Sequence, residues 1–196
     1  MSGRRLSYLF APVAALALTA CGINSIPTAE ESVKARWADV ESQYQRRADL
    51  IPNLVATVKG YAAQEKDVLI GVTNARASAT QVKVDPSHLT DPKALETYGA
   101  AQGALSQSLG RLLVTVEKYP DLKSNQNFLA LQSQLEGTEN RITVARRDYN
   151  LAVQDYNTRI RTFPELIGAK LIYGAKPMVP FKATAPNAQT APTVSF

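Results

Sequence analysis

Apolar residues recur along this chain at alternating steps of three and four residues, in three successive stretches. The first stripe comprises Val33, Trp37, Val40, Tyr44, Ile51, Leu54, Val58, Tyr61, Val68, Val72, Ala75, Ala79 and Val82. The second comprises Leu95, Tyr98, Leu105, Leu109, Leu112, Val116 and Tyr119, and the third comprises Phe128, Leu131, Leu135, Ile142, Ala145, Tyr149, Tyr156, Ile160 and Phe163. This spacing is typical of helices that bury one seam. Because no segment alternates with period two over a useful length, the sequence predicts an all-α fold.

Proline-containing breaks separate the stripes. Between residues 85 and 92 one helix ends and the next begins, with Asp91 as N-cap and Pro92 at the first helical position. The sequence YPD at 119–121 marks a similar boundary. Short loops between long helices favour antiparallel neighbours. We therefore expect an elongated antiparallel up-down helical bundle.

The first stripe has two interpretations. If residues 30–47 continued the helix expected at 53–84, the apolar stripe around Trp37 would project beyond its neighbours, and leaving it uncovered is costly. We therefore predict a break near 47–52, where Asp49 is a cap and Pro52 disfavours helix before it, which gives four helices. The alternative is three long helices, the first of them kinked at Pro52.

The N-terminus has the features of a bacterial lipoprotein leader. Arg4 and Arg5 precede the apolar run LFAPVAALAL at 9–18, which is too short to span a bilayer as a helix. The following LTACG at 18–22 resembles a lipobox, with Cys21 as the acylated residue and the single cysteine of the chain. We predict a signal peptide at 1–20, a tether at 21–29, the bundle at 30–173 and an extended or disordered tail at 174–196. Within that tail, residues 176–181 are candidates for docking on the bundle.

The leader also predicts the location. Three acyl chains on Cys21 would anchor the chain to a membrane and leave its body in the periplasm. Gly22 in place of Asp after the cysteine favours the outer membrane over the inner one, by analogy with enteric lipoproteins. The alternative is an inner-membrane location through an uncleaved N-terminal helix.

Charge and residue types argue against several functions. Loss of Arg4 and Arg5 with the leader brings the formal charge from +5 to +3, which is too weak to indicate nucleic acid. His88, the single histidine, lies in a proline-containing loop, so neither a catalytic triad nor a histidine metal site is expected. An enzyme would need carboxylates such as Glu65 and Glu139 to converge. We expect no enzyme activity, no metal and no cofactor.

Polar residues interrupt the apolar seams. The three-four steps place Arg47, Glu65, Gln102 and Thr138 on nominally apolar faces, with Glu139 and Arg141 nearby. Satisfied polar layers that determine helix register are one interpretation, and a polar groove for a peptide or small ligand is the other. Glycines inside the stripes, at 99, 103 and 137, predict close approach of neighbouring helices.

Several motifs resemble the LemA family more specifically than periodicity does. They are RRADLIPNLV at 46–55, TVKGYA at 57–62, YPDLK at 119–123, NFL at 127–129, LQ at 131–132, LEGTENRI at 135–142, ARRDYN at 145–150, YN at 156–157 and FP at 163–164. The resemblance covers residues 31–181. It implies a helical bundle attached to a membrane, with its body outside the cytoplasm and no established molecular activity.

These features together predict a non-enzymatic envelope lipoprotein. With an anchor, a rod and a loose C-terminus, the chain is expected to act as a scaffold or adaptor for another envelope protein of unknown identity. The alternative is a periplasmic module that binds a peptide or small ligand between its helices.

Overall fold

The computed structural model describes residues 24–182, and within that range every regular element is helical. The elements are α1 (Ser25–Tyr61), α2 (Lys66–Gln81), a 3-10 turn (Pro86–His88), α3 (Pro92–Val116), the short α4 (Pro120–Lys123), α5 (Gln126–Arg159), the short α6 (Glu165–Gly168) and a π-helical turn (Ala169–Tyr173). The all-α prediction is confirmed. None of the helices within 24–182 combines the length and apolar character that crossing a bilayer requires. The predicted signal peptide, Cys21 and residues 183–196 lie outside the described range.

The predicted break near 47–52 is wrong, because α1 continues through Pro52. A proline inside a helix has no N–H to donate, so the carbonyl four residues earlier loses its usual partner. That carbonyl belongs to Ala48, and Arg76 Nε of α2 donates to it at 2.8 Å. A side chain from the neighbouring helix thus supplies the missing hydrogen bond and removes much of the penalty of the proline.

The chain turns instead between Ala62 and Glu65, so the expected helix over 53–84 is also wrong. Glu65 N–H donates to Ala62 O at 3.1 Å, and the Glu65 carboxylate accepts from Tyr119 Oη at 2.8 Å. Ala62 and Leu69 on either side of this turn are both buried. The buried positions are thus one residue beyond the predicted Tyr61, which is 46% exposed, and Val68. Because both pairs are seven residues apart, periodicity does not reveal the turn.

Helices α1 and α5 lie side by side in opposite directions. Trp37 packs on Tyr149 with ring centroids 5.5 Å apart, and Arg47 binds Glu139, so ten residues forward along α1 correspond to ten residues back along α5. At the other end, Asn125 Nδ2 donates to Tyr61 Oη at 2.9 Å. This long pairing covers the stripe around Trp37, so a continuous α1 does not leave it uncovered, as the argument for a break assumed.

Two buried clusters form the core. The aromatic half, which holds the first part of α1, includes Val33, Trp37, Tyr44, Tyr98, Tyr149, Tyr156, Met178 and Phe181. The aliphatic half, which holds the second part of α1, includes Ile51, Leu54, Leu69, Leu105, Leu112, Leu122 and Phe128. Along α1, Arg47 lies between the two.

Helix α1 begins earlier than the predicted boundary at residue 30. It starts at Ser25, and its first turns bury Ile26 and Ala29, which extend the apolar stripe by further steps of three and four. Both side chains lie in the aromatic half with Ile160 and Ala169. The part of the predicted tether from 25 to 29 is therefore helix, because its apolar side chains have a surface to pack against.

Candidate functional site

A polar layer, formed by Arg47, Gln102, Ser106 and Glu139, crosses the molecule between the two halves of the core. Arg47 is only 1% exposed, and its guanidinium donates four hydrogen bonds. Nη1 binds Ser106 Oγ at 2.8 Å and Glu139 Oε1 at 2.5 Å. Nη2 binds the Gln102 side-chain oxygen at 2.7 Å and its carbonyl at 3.2 Å. One side chain of α1 thereby connects α3 and α5.

Gln102 extends the polar layer to α2. Its amide nitrogen donates to Ala79 O at 3.1 Å, in the last turn of α2, where backbone carbonyls lack partners within the helix. Thr138, although buried, donates its hydroxyl to Gln134 O of its own helix at 2.7 Å. The layer therefore contacts all four long helices through Arg47 and Gln102, and Thr138 is not part of it.

The polar layer is asymmetric in its contact with solvent. The side chain of Glu139 is 46% exposed, whereas that of Arg47 is 1% exposed. Charge-assisted hydrogen bonds offset the desolvation of the guanidinium, and its Cζ also lies 5.0 Å from the centre of the Tyr44 ring. Burial in turn raises the pKa of Tyr44. These internal contacts favour a structural role for Arg47, Gln102 and Glu139 over a ligand groove.

Glu65 lies far from the polar layer. Its carboxylate accepts from Tyr119 Oη, which also accepts from Gln64 Nε2 at 3.0 Å, and the hydrogen bond to Glu65 raises the pKa of Tyr119. The fourteen residues from Arg47 to the end of α1 at Tyr61 rise about 21 Å. Glu65 and Glu139 are thus several turns apart, and the convergent pair that an enzyme would need does not form.

Arg141 is also separate from the polar layer. It is exposed and lines an open groove of about 340 Å³ between α1 and α5, together with Asp39, Gln43, Asn140, Val144, Ala145 and Asp148. Among residues 24–182, no group of three or more His, Cys, Asp or Glu side chains is placed to hold a metal ion. His88 has its ring beside the hydroxyl of Ser87, at 3.3 Å, in an exposed turn.

The glycines at 103 and 137 do not mediate close helix packing, so that expectation is wrong. A Cβ added at either position would meet nothing within 4 Å. Their neighbours Gln102 and Thr138 are the buried residues. The three-four steps place Gln102 and Thr138 on the seams, and each glycine lies one position beside them, where a side chain would not meet a neighbouring helix.

A second set of polar contacts holds the C-terminal strap, which we define as residues 177–181. Asn157 binds both backbone groups of Met178, accepting from its N–H at 2.9 Å and donating to its carbonyl at 2.8 Å. Asn150 does the same for Phe181, at 2.8 Å and 3.1 Å. Each asparagine amide therefore occupies the place that a neighbouring β-strand would take.

The remaining contacts complete this strap. Val179 N–H donates to Leu89 O at 2.9 Å, and Tyr149 Oη donates to Val179 O at 2.9 Å. The Phe181 ring stacks on Trp37 with centroids 5.6 Å apart. The strap thereby closes the aromatic half of the core.

A search against family models gives a match to the LemA family over residues 36–196. This chain belongs to the LemA family. Relatives include the magnetosome proteins MamQ 1 and MamQ 2 of Paramagnetospirillum magneticum, each 27% identical over 168 residues, or 78% of this chain and 62% of theirs. Protein LemA of Metamycoplasma hominis is 27% identical over 124 residues, or 63% of this chain and 52% of its own length. The chain therefore spans between half and two thirds of the length of these relatives.

In this LemA-family chain the asparagines of the strap contact are a site that sequence reasoning missed. A signal was present, because the dipeptide Tyr-Asn occurs at 149–150 and again at 156–157. Seven residues of helix rise about 10.5 Å, and three residues of extended chain span about 10 Å. Asparagines two turns apart on a helix thus match backbone positions 178 and 181 of the extended strap.

Proposed function

We propose that this LemA-family protein is a non-enzymatic, lipid-anchored envelope protein whose antiparallel up-down bundle serves as a scaffold or adaptor for another envelope protein. The family match and the magnetosome relatives favour a membrane-associated protein of the envelope. In this proposal, residues 1–20 are removed, Cys21 is acylated, and the body faces the periplasm from the outer membrane. Attachment to the inner membrane by an uncleaved N-terminal helix is the alternative.

The observation that carries this proposal is the short link between Cys21 and α1. The helix begins at Ser25, four residues beyond the cysteine, and four residues span at most about 14 Å. Acyl chains on Cys21 would therefore hold one end of the rod close to the bilayer. The rod itself is 37 residues long in α1, which corresponds to about 55 Å.

The use of polar groups inside the molecule supports a scaffold over an enzyme. Arg47, the most deeply buried charged side chain in the described range, directs its hydrogen bonds to three other side chains and one carbonyl of the same fold. A partner would thus meet the outer faces of α1 to α5. Rigid helices held in fixed register present such faces with little loss of conformational entropy on binding.

Acylation and partner binding are tested separately. Radiolabelled palmitate should enter the wild-type chain and be absent from Cys21→Ser; label that persists in the variant overturns the anchor.

Crosslinking with mass spectrometry in native membranes should recover one envelope protein reproducibly with the wild type. Recovery of no reproducible partner in replicate experiments overturns the adaptor role.

A groove beside α2 favours a second candidate function, binding of a peptide or small amphiphile. It encloses about 450 Å³ and is lined by Val55, Lys59, Ala63, Lys66, Leu69, Ile70, Thr73 and Asn74. An apolar floor beside two lysines fits an anionic amphiphile. The anionic dye anilinonaphthalene sulfonate should bind the wild type and lose affinity in Ile70→Asp, with Val114→Asp on α3 as control. Equal affinity of all three chains contradicts this function.

A further inference from the structure

Exposed apolar side chains concentrate in the segment that follows α5. Of the eleven large apolar side chains exposed within residues 24–182, five lie between 163 and 173: Phe163, Ile167, Leu171, Ile172 and Tyr173. We call these five the apolar patch. Phe163 is 76% exposed and Leu171 is 81% exposed, whereas Gly168 and Ala169 between them are buried. The segment is therefore amphipathic, with one face on the bundle and the other toward solvent.

Basic side chains surround the apolar patch. Arg161, Lys170 and Lys176 are all exposed, and within the described residues none of them forms an ion pair. Glu165 is the one acidic residue between 160 and 176. An exposed apolar face with uncompensated lysine and arginine at its rim is typical of segments that lie in the interface of an anionic bilayer.

The apolar patch lies at the end of the molecule where the chain runs back toward Cys21. Ala169 and Ile160 belong to the same buried cluster as Ile26 and Ala29 of the first turns of α1, and α6 contacts α1 directly. Asn24, the first described residue, is three residue steps beyond Cys21, and three steps span at most about 11 Å. A bilayer that holds Cys21 would therefore be close to the patch.

We infer that the apolar patch and its basic rim bind the surface of an anionic phospholipid bilayer. This inference rests on the proposed lipid anchor for its orientation. Phe163, Leu171 and Ile172 insert among the acyl chains near the headgroups, while Lys170 and Lys176 contact lipid phosphates. With Cys21 as one attachment and the patch as a second, the bundle is held at a fixed angle rather than swinging about a single point.

The test uses the single cysteine of the chain. An acylated Cys21 has no free thiol, so Leu171→Cys supplies one labelling position for an environment-sensitive nitrobenzoxadiazole dye. Val114→Cys is the matched control, because Val114 is also exposed, at 70%, but lies on α3. Both full-length chains are reconstituted into vesicles of phosphatidylcholine with phosphatidylglycerol, and the dye emission is recorded. The reference is the emission of the same labelled protein in detergent-free solution, after proteolysis has released it from its lipid anchor.

A blue shift at position 171 with none at 114 supports the inference. The double change Lys170→Glu and Lys176→Glu should reduce that shift several-fold on the anionic vesicles and leave it unchanged on pure phosphatidylcholine. Equal emission at the two positions overturns it. A shift at 171 that depends on protein concentration without vesicles also overturns it, because the patch then binds a second copy of the chain.

Failure of the anchor is read out separately. Mass spectrometry of the N-terminal peptide shows whether Cys21 carries acyl chains, independently of the dye. The same Leu171→Cys change in a Cys21→Ser background is then titrated with the anionic vesicles. A blue shift in this background supports bilayer binding by the patch even if Cys21 is not acylated. No blue shift in either background rejects bilayer binding by the patch even if acyl chains are found on Cys21.

Discussion

The aromatic half and the aliphatic half of the core are built on the same long helix α1, yet their open sides are closed differently. In the aromatic half, Trp37 Nε1 donates to Val84 O at 3.2 Å and Tyr149 Oη donates to Val179 O at 2.9 Å. Both acceptors lie in non-helical chain. In the aliphatic half, side chains such as Leu54 and Leu112 have no polar atoms to satisfy, and the short turn from α3 to α5 closes it through Leu122.

The difference shows how side-chain chemistry determines what a core requires around it. A buried tyrosine or tryptophan needs a hydrogen-bond acceptor, and helices have few free carbonyls away from their ends. Extended chain supplies them, which is why the loop before α3 and the C-terminal strap both pack on the aromatic half. A leucine-rich core needs no such segment. The polar layer at Arg47 lies at the boundary between the aromatic half and the aliphatic half.

The largest expected effect comes from removing the central ring of the aromatic half. Trp37→Ala should lower the free energy of unfolding by about 4 kcal/mol, and Leu112→Ala in the aliphatic half by about 3 kcal/mol. Urea denaturation followed by far-ultraviolet circular dichroism measures both. The near-ultraviolet spectrum should change strongly only in Trp37→Ala. A comparable change in Leu112→Ala would contradict the separation of the two halves.

Removal of the guanidinium tests the polar layer that separates the halves. Arg47→Leu should destabilise the protein by about 3 kcal/mol, because Gln102 loses its donor in a buried position while Glu139 regains water. Arg36→Leu is the control, since its ion pair with Asp39 is exposed on both sides and should contribute less than about 0.5 kcal/mol. Equal midpoints of urea unfolding for the two variants would show that the polar layer contributes no more than a surface pair.

Alkaline pH should act on the aromatic half. Burial raises the pKa of Tyr44, Tyr98 and Tyr149, so these phenols ionise more readily in the unfolded chain. Their contribution to stability is complete below the tyrosine pKa of the unfolded state, about 10, and is lost as pH rises above it. The melting temperature should therefore fall above that pH, and less steeply in Tyr98→Phe. A parallel fall in both chains would assign the effect to other groups.

The C-terminal strap can be released without removing any ring. In Asn150→Ala combined with Asn157→Ala, Met178 and Phe181 lose their side-chain partners, and we expect a loss of about 2 kcal/mol. Hydrogen exchange followed by mass spectrometry should show faster exchange at 178–181, while peptides of the aliphatic half keep their protection. Asn140→Ala, an exposed position on the same helix, is the control. Unchanged exchange at 178–181 would mean that the rings alone hold the strap.

The sequence predicts the helices and their buried faces far better than the polar contacts among them. The three stripes identify the all-α class, and Trp37, Leu105 and Tyr149 are buried as the pattern requires. The helix boundaries fail at Pro52 and at Ala62, because an arginine of another helix offsets the proline in one case and a tyrosine after α3 stabilises the turn in the other. Such contacts join residues distant in sequence, and periodicity contains no information about them.

For the candidate site, too, the sequence predicts which side chains lie on a seam but not which of them meet. Arg47, Gln102 and Glu139 meet, whereas Glu65 and Arg141 lie elsewhere, although all five were selected by their place on or beside an apolar seam. Seam position tells which way a side chain faces, but the level along the bundle depends on how the helices are paired. That pairing is a property of loops and turns. The asparagines of the strap were visible as a repeated dipeptide, yet their partner is backbone, which has no sequence signature.

The smallest expected effect is a gain in stability and tests the interpretation of Gly137 in α5. Since a Cβ at this position meets open space, Gly137→Ala adds helix propensity without a clash and should stabilise the protein by about 1 kcal/mol. For a chain of this size that corresponds to a rise of about 2 to 4 °C in melting temperature. Gly137 lies next to Thr138 at the level of the polar layer, so the gain should appear in the unfolding of both halves. A lower melting temperature would restore close helix approach as the role of this glycine.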